Sequence, residues 1–168
     1  MMKDIILAHK QITHIIKRIA YQVYEDNISE RELIVAGVRG EGFILAQLIT
    51  EQLKEISDLN IQLLAIEMDK KNPIEKDIVL NPELDSQDLN QKSVVVIDDV
   101  LNSGSTLLFS LQPFLKQPMR QIKTAVLVNR NHKKYPVKAD FKGISLSTSS
   151  HENVRVSLDR DCFQVVLE

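Results

Sequence analysis

The chain has 168 residues, enough for one domain with a full core and too few for two ordinary ones; chains near 150 residues bury about 70% of the surface they expose when unfolded. With 43% hydrophobic and 26% charged residues it reads as globular, which sets aside disorder, collagen and coiled coils. Lys and Arg number 21 against 23 Asp and Glu, a formal charge of -2, so a broad positive field for nucleic acid is excluded while a local basic patch stays open.

From the N-terminus, Ile12, Ile15, Ile16, Ile19, Ala20 and Val23 recur at helical spacing and predict an amphipathic helix over residues 9 to 26, with Lys17, Arg18 and Gln22 outward. LIVAGV at 33 to 38 is a short apolar run that suits a strand buried on both faces. After GEG, Leu45, Leu48, Ile49, Leu53 and Ile56 restore the helical period to about residue 56. IQLLAIE at 61 to 67 reads as a second strand. The polar stretch that follows, to Lys92, carries Pro73 and Pro82 and reads as one long loop, a length usually found in lids or binding segments.

SVVVI at 93 to 97 is the most strand-like run. A glycine turn at Ser103 to Ser105 then opens a helix with the apolar face Leu107, Leu108, Leu111, Phe114 and Leu115, which Pro113 should kink or end early. TAVLV at 124 to 128 supplies another buried strand, and VRVSL with CFQVVL reads as an antiparallel pair at the sheet edge. Alternating strands and helices imply right-handed crossovers and a mainly parallel α/β sheet, with ligands outside the carboxyl ends of its strands.

Four scattered histidines offer no metal-binding spacing, and the single cysteine, Cys162, reads as a small apolar residue. No run reaches the ~18 to 20 apolar residues of a membrane span, and the start MMKDIILAHK lacks the apolar core of a secretion signal. A reducing cytoplasm, no membrane partner and a single domain over 1–168 are expected.

Two strands end in glycine-bearing turns that lead into helices, GVRGEG at 37 to 42 and LNSGSTL at 101 to 107. Unpaired N–H groups at a helix start carry partial positive charge, so such a turn can wrap an anion. Ser103, Ser105 and Thr106 add hydroxyl donors, and Gly104 lets the backbone come close. Just before this turn, Asp98 and Asp99 would repel a phosphate unless they face something else; sugar hydroxyls and a divalent cation are the natural candidates. The dinucleotide fingerprint is absent, because 37 to 42 reads GxxGxG. A triphosphatase loop fits Gly37 and Gly42, but Phe43 and Ile44 stand where Lys and Ser or Thr are needed.

VVVIDDVLNSGST at 94 to 106 resembles the phosphoribosyl pyrophosphate motif of type I phosphoribosyltransferases: four apolar residues, two acids, then a hydroxyl-glycine phosphate loop. IIKRIAYQVYEDN, the GVRGEG turn and LVNRNHKKYPVKADFKG are similar in order and spacing to the PyrR family, pyrimidine-operon attenuators with uracil phosphoribosyltransferase activity. The resemblance spans most of residues 5 to 158. It implies a type I phosphoribosyltransferase-like parallel sheet flanked by helices, with a flexible hood loop and a small C-terminal antiparallel addition. Asp98 and Asp99 would take the ribose hydroxyls, as catalytic residues together with Arg39. Ser103, Gly104, Ser105 and Thr106 would hold the 5'-phosphate, with Asn102 also binding the substrate, and Val38, Arg39 and Gly40 the pyrophosphate. The hood would span 68 to 80 with Lys70 or Lys71 closing the site, and Arg130 would lie beside the base. Magnesium would arrive with the pyrophosphate, near Asp98 and Asp99.

The implied reaction joins a nucleobase, with uracil favoured, to ribose 5-phosphate and releases pyrophosphate; the alternative is an RNA-binding regulator of pyrimidine genes that senses nucleotides in the same site. A homodimer or larger assembly is implied. The chain departs from the family at several points: Asn102, Ser103 and Ser105 replace Tyr, Thr and Arg in the loop, MDKKN replaces the Tyr-Arg-Asp-Asp hood, and Lys17, Tyr21, Lys133, Lys138 and Ile144 stand at RNA-contact positions where Arg18 is kept. Purine-type members usually place an Asp at the position of Asn102. Lysine attracts phosphate without the bidentate base reading of arginine, so Lys133, Lys134 and Lys138 also read as a solvated rim. His132 reads equally as a base or phosphate contact and as a solvent-facing loop residue.

Overall fold

The computed structural model describes residues 3–168. Met1 and Met2, which enter the leader reading and the 1–168 span, lie outside the described residues. The elements run β1 (Asp4–Leu7), α1 (His9–Asp26), β2 (Glu32–Val38), α2 (Glu41–Ile56), β3 (Asn60–Glu67), β4 (Val79–Asn81), α3 (Ser86–Leu89), β5 (Ser93–Leu101), α4 (Ser105–Ser110), a 3-10 turn (Gln112–Phe114), β6 (Gln121–Arg130), β7 (Phe141–Leu146), β8 (Val154–Asp159) and β9 (Cys162–Leu167).

Six strands form the main sheet in the order β4-β3-β2-β5-β6-β7, parallel throughout except for β4. The apolar runs expected to be buried on both faces are so: Leu33 and Val35 face one core and Ile34, Ala36 and Val38 the other. The first core receives the stripe Ile12, Ile15, Ile16, Ile19, Ala20 and Val23 of α1 and Leu45, Ala46, Ile49 and Leu53 of α2. The second is closed by Ile78, Leu80, Leu89, Leu107 and Phe114.

The topology places a crevice. β2 runs through α2 to β3 on one side, while β5 lies on its other side and leads away to β6 and β7. The strand order therefore reverses between β2 and β5, and the loops leaving these two parallel strands part at their carboxyl ends.

Several expectations need correction. VRVSL and CFQVVL do pair antiparallel, as β8 and β9, but β1 joins them in a separate three-stranded sheet rather than at the edge of the main one. Their apolar residues Val156, Leu158, Phe163 and Val165 pack into the α1 and α2 core, which an edge position could not allow. The main sheet ends instead in β4 at one edge and β7 at the other, and the sequence gives little sign of β7 because FKGISL lacks a clean alternation and holds Gly143. The helix after Ser105 ends at Ser110, and the 3-10 turn containing Pro113 takes over, so Leu115 of the expected apolar face is 67% exposed. The long polar segment contains β4 and α3, whose Leu80 and Leu89 are pulled into the second core. Cys162 is exposed rather than packed. No helix among the described residues is long and apolar enough to cross a membrane.

Candidate functional site

Val38, Arg39 and Gly40 leave the end of β2, and Asp98 to Leu101 form the last residues of β5, so both loops open into the crevice. β5 is longer than SVVVI alone predicts; pairing with β6 carries it through the acidic pair to Leu101. Gly40 (φ 106°) starts α2, and Gly104 (φ 91°) starts α4 in the left-handed region that glycine favours.

Asp98 is 3% exposed. Its Oδ1 accepts the Asp99 N–H at 2.9 Å and lies 3.8 Å from Lys70 Nζ. Burial pushes this carboxyl well above the ordinary aspartate range, and the charge of Asp99 pushes the same way while Lys70 opposes it. A Cβ on Gly42 would stand 2.8 Å from Asp98 Oδ1, so only glycine lets the first turn of α2 approach the acid. The first turn of α2, Lys70 and the Asp99 backbone thus meet at one carboxylate. Lys70 belongs to this junction, 4.0 Å from where a Cβ of Gly40 would be. Lys71 is exposed and makes no ion pair among the described residues; its N–H caps Asp69 Oδ1 at 3.0 Å.

An under-compensated buried carboxylate beside a half-buried one is a fit for a divalent cation or for sugar hydroxyls. Among the described residues no group of three or more His, Cys, Asp or Glu forms a metal cage. The two adjacent carboxylates of Asp98 and Asp99 are a donor set that fits magnesium, which commonly takes one or two carboxylates and completes its shell with water and phosphate oxygens.

Asn102, Ser103, Gly104 and Thr106, with Val100, Leu101 and Leu107, line a hollow of about 40 Å³. Ser105 N–H donates to Ser103 Oγ at 3.2 Å, which curls the turn. The Ser103 carbonyl accepts from the N–H groups of Lys134 (2.8 Å) and Tyr135 (3.1 Å), so the 133–137 segment braces the loop from behind. With only six residues, α4 has a weak dipole; the first-turn amides and hydroxyls are the donors this turn offers to an anion. The sequence reading gave no part to the brace, and nothing in NRNHKKYPVKAD signals that its backbone N–H groups turn inward.

Two predicted basic residues are engaged. Arg39 Nη2 donates to Glu67 Oε1 at 2.8 Å, and its guanidinium lies 4.7 Å over the Phe43 ring. Arg130 is 8% exposed and does not point freely into a pocket. Its Nη1 donates to Asn102 Oδ1 (3.0 Å), Nε and Nη2 donate to Thr148 Oγ1 (3.0 and 2.6 Å), and Nη2 also reaches the Glu152 carbonyl (2.9 Å). Arginine is a donor only, so this contact turns the Asn102 amide oxygen toward Arg130 and leaves the NH2 free of it. Arg130 is joined to the 102–106 turn through Asn102.

His132 Nε2 lies 2.7 Å from the Thr148 carbonyl, which ties it to the same segment. At the expected RNA-contact positions, Lys17, Tyr21, Lys133 and Lys138 are exposed and Ile144 is half-buried. Arg18 spends two hydrogen bonds on the Lys142 and Gly143 carbonyls at 3.1 and 2.8 Å, clamping α1 to β7. The sequence reading missed Glu67, which holds Arg39, and Glu41, whose Oε2 accepts the Leu158 N–H at 2.8 Å and ties the start of α2 to the small sheet. A carboxylate at the end of each neighbouring element was the available signal.

Residues 2–161 match the family described as the phosphoribosyl transferase domain. The chain is 32% identical over 163 residues to the bifunctional protein PyrR of Macrococcus caseolyticus, covering 94% of this chain and 92% of the relative. To the bifunctional protein PyrR of Streptococcus uberis it is 35% identical over 159 residues, 90% of each. The fold is similar to that of the hypoxanthine phosphoribosyltransferase of Trypanosoma cruzi, with a TM-score of 0.78 over 98% of this chain and 95% of that one at 17% identity, a likeness of fold alone. With the family matched along nearly the whole chain, and relatives above 30% identity over nine-tenths of it, the chain belongs to the phosphoribosyltransferase domain family and, within it, to the PyrR proteins.

Proposed function

We propose that the chain acts as one domain that transfers ribose 5-phosphate from phosphoribosyl pyrophosphate to a nucleobase, with uracil as the acceptor. The bond from C1' to the pyrophosphate oxygen breaks, a base nitrogen forms the new bond to C1', and the base loses its N–H proton. The observation that carries the reading is the convergence of the Asp98-Asp99 pair, the 102–106 hollow and the Arg39 loop at the reversal of strand order between β2 and β5.

Asp98 and Asp99 hold the ribose hydroxyls, and Ser103, Gly104, Ser105 and Thr106 surround the 5'-phosphate. Asn102 faces the base with its NH2. Arg39, the backbone of Val38 and Gly40, and Lys70 face the leaving pyrophosphate, where fixed donors of this kind are each worth about 3 to 4 kcal/mol. Magnesium held at Asp98 and Asp99 supplies neutralisation of the pyrophosphate charge when bound. Asn102 cannot titrate, which favours a pyrimidine acceptor.

The test is pyrophosphate release from phosphoribosyl pyrophosphate, scanned over uracil, orotate, hypoxanthine, guanine, adenine and xanthine. Turnover with uracil is expected; turnover with a purine alone overturns the pyrimidine reading, and none with any base overturns the transferase. A second reading rests on the exposed Lys17, Tyr21, Lys133 and Lys138 and on the likeness to proteins named bifunctional: regulation of pyrimidine genes by RNA binding in the cytoplasm, in a homodimer or larger assembly. Filter binding of a pyrimidine-operon leader with and without uridine monophosphate tests it; absent or salt-insensitive binding removes it.

A further inference from the structure

We propose that Glu67 sets the affinity for the pyrophosphate end of the substrate by competing with it for Arg39. The inference rests on the transferase reading and assigns a role to a residue which that reading leaves out.

Backbone register makes the pair unavoidable. Val38 lies opposite Ile66 in the parallel ladder of β2 and β3, and Arg39 N–H donates to the Ile66 carbonyl at 3.0 Å, so Arg39 and Glu67 leave the sheet side by side. Arg39 Nη2 meets Glu67 Oε1 at 2.8 Å. The same oxygen accepts from Asn81 Nδ2 at 3.1 Å, and Asn81 lies on β4, where the chain returns after the hood. One carboxylate therefore clips together the two ends of the hood and the cation of the pyrophosphate loop.

Glu67 is ionised at neutral pH, since the Arg39 hydrogen bond first and the Asn81 hydrogen bond second hold its carboxyl below the usual range. A multiply charged pyrophosphate reaching Arg39 meets a fixed negative charge that already holds the guanidinium. The Arg39–Glu67 contact is one hydrogen bond to an exposed carboxylate of single charge, whereas a multiply charged pyrophosphate can take the guanidinium with two, so it wins the contest. The affinity it retains is lowered by the interaction it displaces. A weakened hold on pyrophosphate favours release of that product. The opposing possibility is an ordinary surface pair that aims Arg39 productively, and it predicts the opposite sign.

The experiment titrates inorganic pyrophosphate with magnesium chloride into the full chain by calorimetry at low ionic strength, with uridine monophosphate as the probe of the 5'-phosphate loop. Glu67→Gln keeps an acceptor for Arg39 and Asn81 and removes only the charge. We expect its pyrophosphate Kd to tighten about two- to fivefold, the scale of releasing an exposed ion pair, with the uridine monophosphate Kd unchanged. In an Arg39→Ala background the gain should vanish. Unchanged or weaker pyrophosphate binding overturns the proposal, as does an equal gain without Arg39, which would mean simple repulsion. Base-dependent pyrophosphate release by the unmodified chain, measured alongside, separates the two readings: no turnover sinks the transferase, whereas turnover with no tightening in Glu67→Gln sinks only the role of Glu67.

Discussion

Replacing Asp98 by Asn should make the protein more stable while weakening the ribose contact proposed for it. Asp98 is 3% exposed, and the one cation near it among the described residues, Lys70, is 3.8 Å away on a side chain that is 42% exposed. Asparagine has the same shape, keeps an oxygen to accept the Asp99 N–H, and fits the space that Gly42 leaves. The ionised carboxylate costs several kcal/mol to bury, against which an exposed lysine returns about 1 kcal/mol or less. A net gain of about 1 to 3 kcal/mol at pH 7.5 follows, or a rise of about 2 to 12 °C in Tm for a domain of this size.

The sign of the pH dependence is set by the raised carboxyl. The native state binds this proton more tightly than the unfolded chain does, so unmodified protein loses stability as pH rises from the ordinary aspartate value through the raised one. The advantage of Asp98→Asn should therefore be full above that window and shrink toward acid pH, where Asp98 is already neutral. Urea unfolding from pH 4.5 to 8 measures it. A variant no more stable at pH 7.5, or an advantage that does not shrink on acidification, refutes the reasoning. With Asp99→Asn added, calorimetry should find no binding of phosphoribosyl pyrophosphate.

At the phosphate loop, Gly104→Ala places a Cβ 2.6 Å from Val137 Cγ1 at a φ of 91°; thermal denaturation should show a loss of about 1 to 3 kcal/mol, and uridine monophosphate binding should fall. Arg130→Met strips the hydrogen bonds from Asn102, Thr148 and the Glu152 carbonyl. Urea unfolding should register a cost of about 2 to 4 kcal/mol, with a raised KM for the base and an unchanged Kd for pyrophosphate. In the hood, steady-state kinetics should find kcat lowered about tenfold or more by Lys70→Met and almost unmoved by Lys71→Met, because only Lys70 reaches Asp98.

Local pattern carried much of this protein into view. The 3.6-residue stripe from Ile12 to Val23 and the runs LIVAGV and TAVLV are signals that burial on one or both faces imposes on any sequence, and they lie where α1, β2 and β6 are found. VVVIDDVLNSGST was legible because strand, acids and glycine turn are contiguous, so their chemistry needs no distant partner to be recognised. Elements and contacts that exist only through the fold were not. Leu80 and Leu89 become structured by closing a core whose other walls come from elsewhere in the chain, and FKGISL becomes β7 because β6 offers it an open edge.

Side-chain engagement was the part that tertiary structure alone decided. Arg39 and Arg130 are both plain cations in the sequence, yet strand register sets the first against Glu67, and the return of the chain at 148–152 closes around the second. Asp98 and Asp99 are likewise neighbours of one type, separated by the fold into a buried and a half-buried acid. Residue type states what a group is able to donate, accept or ionise; its charge and freedom depend on the water it loses and the partners it meets, and those are supplied by segments far away along the chain.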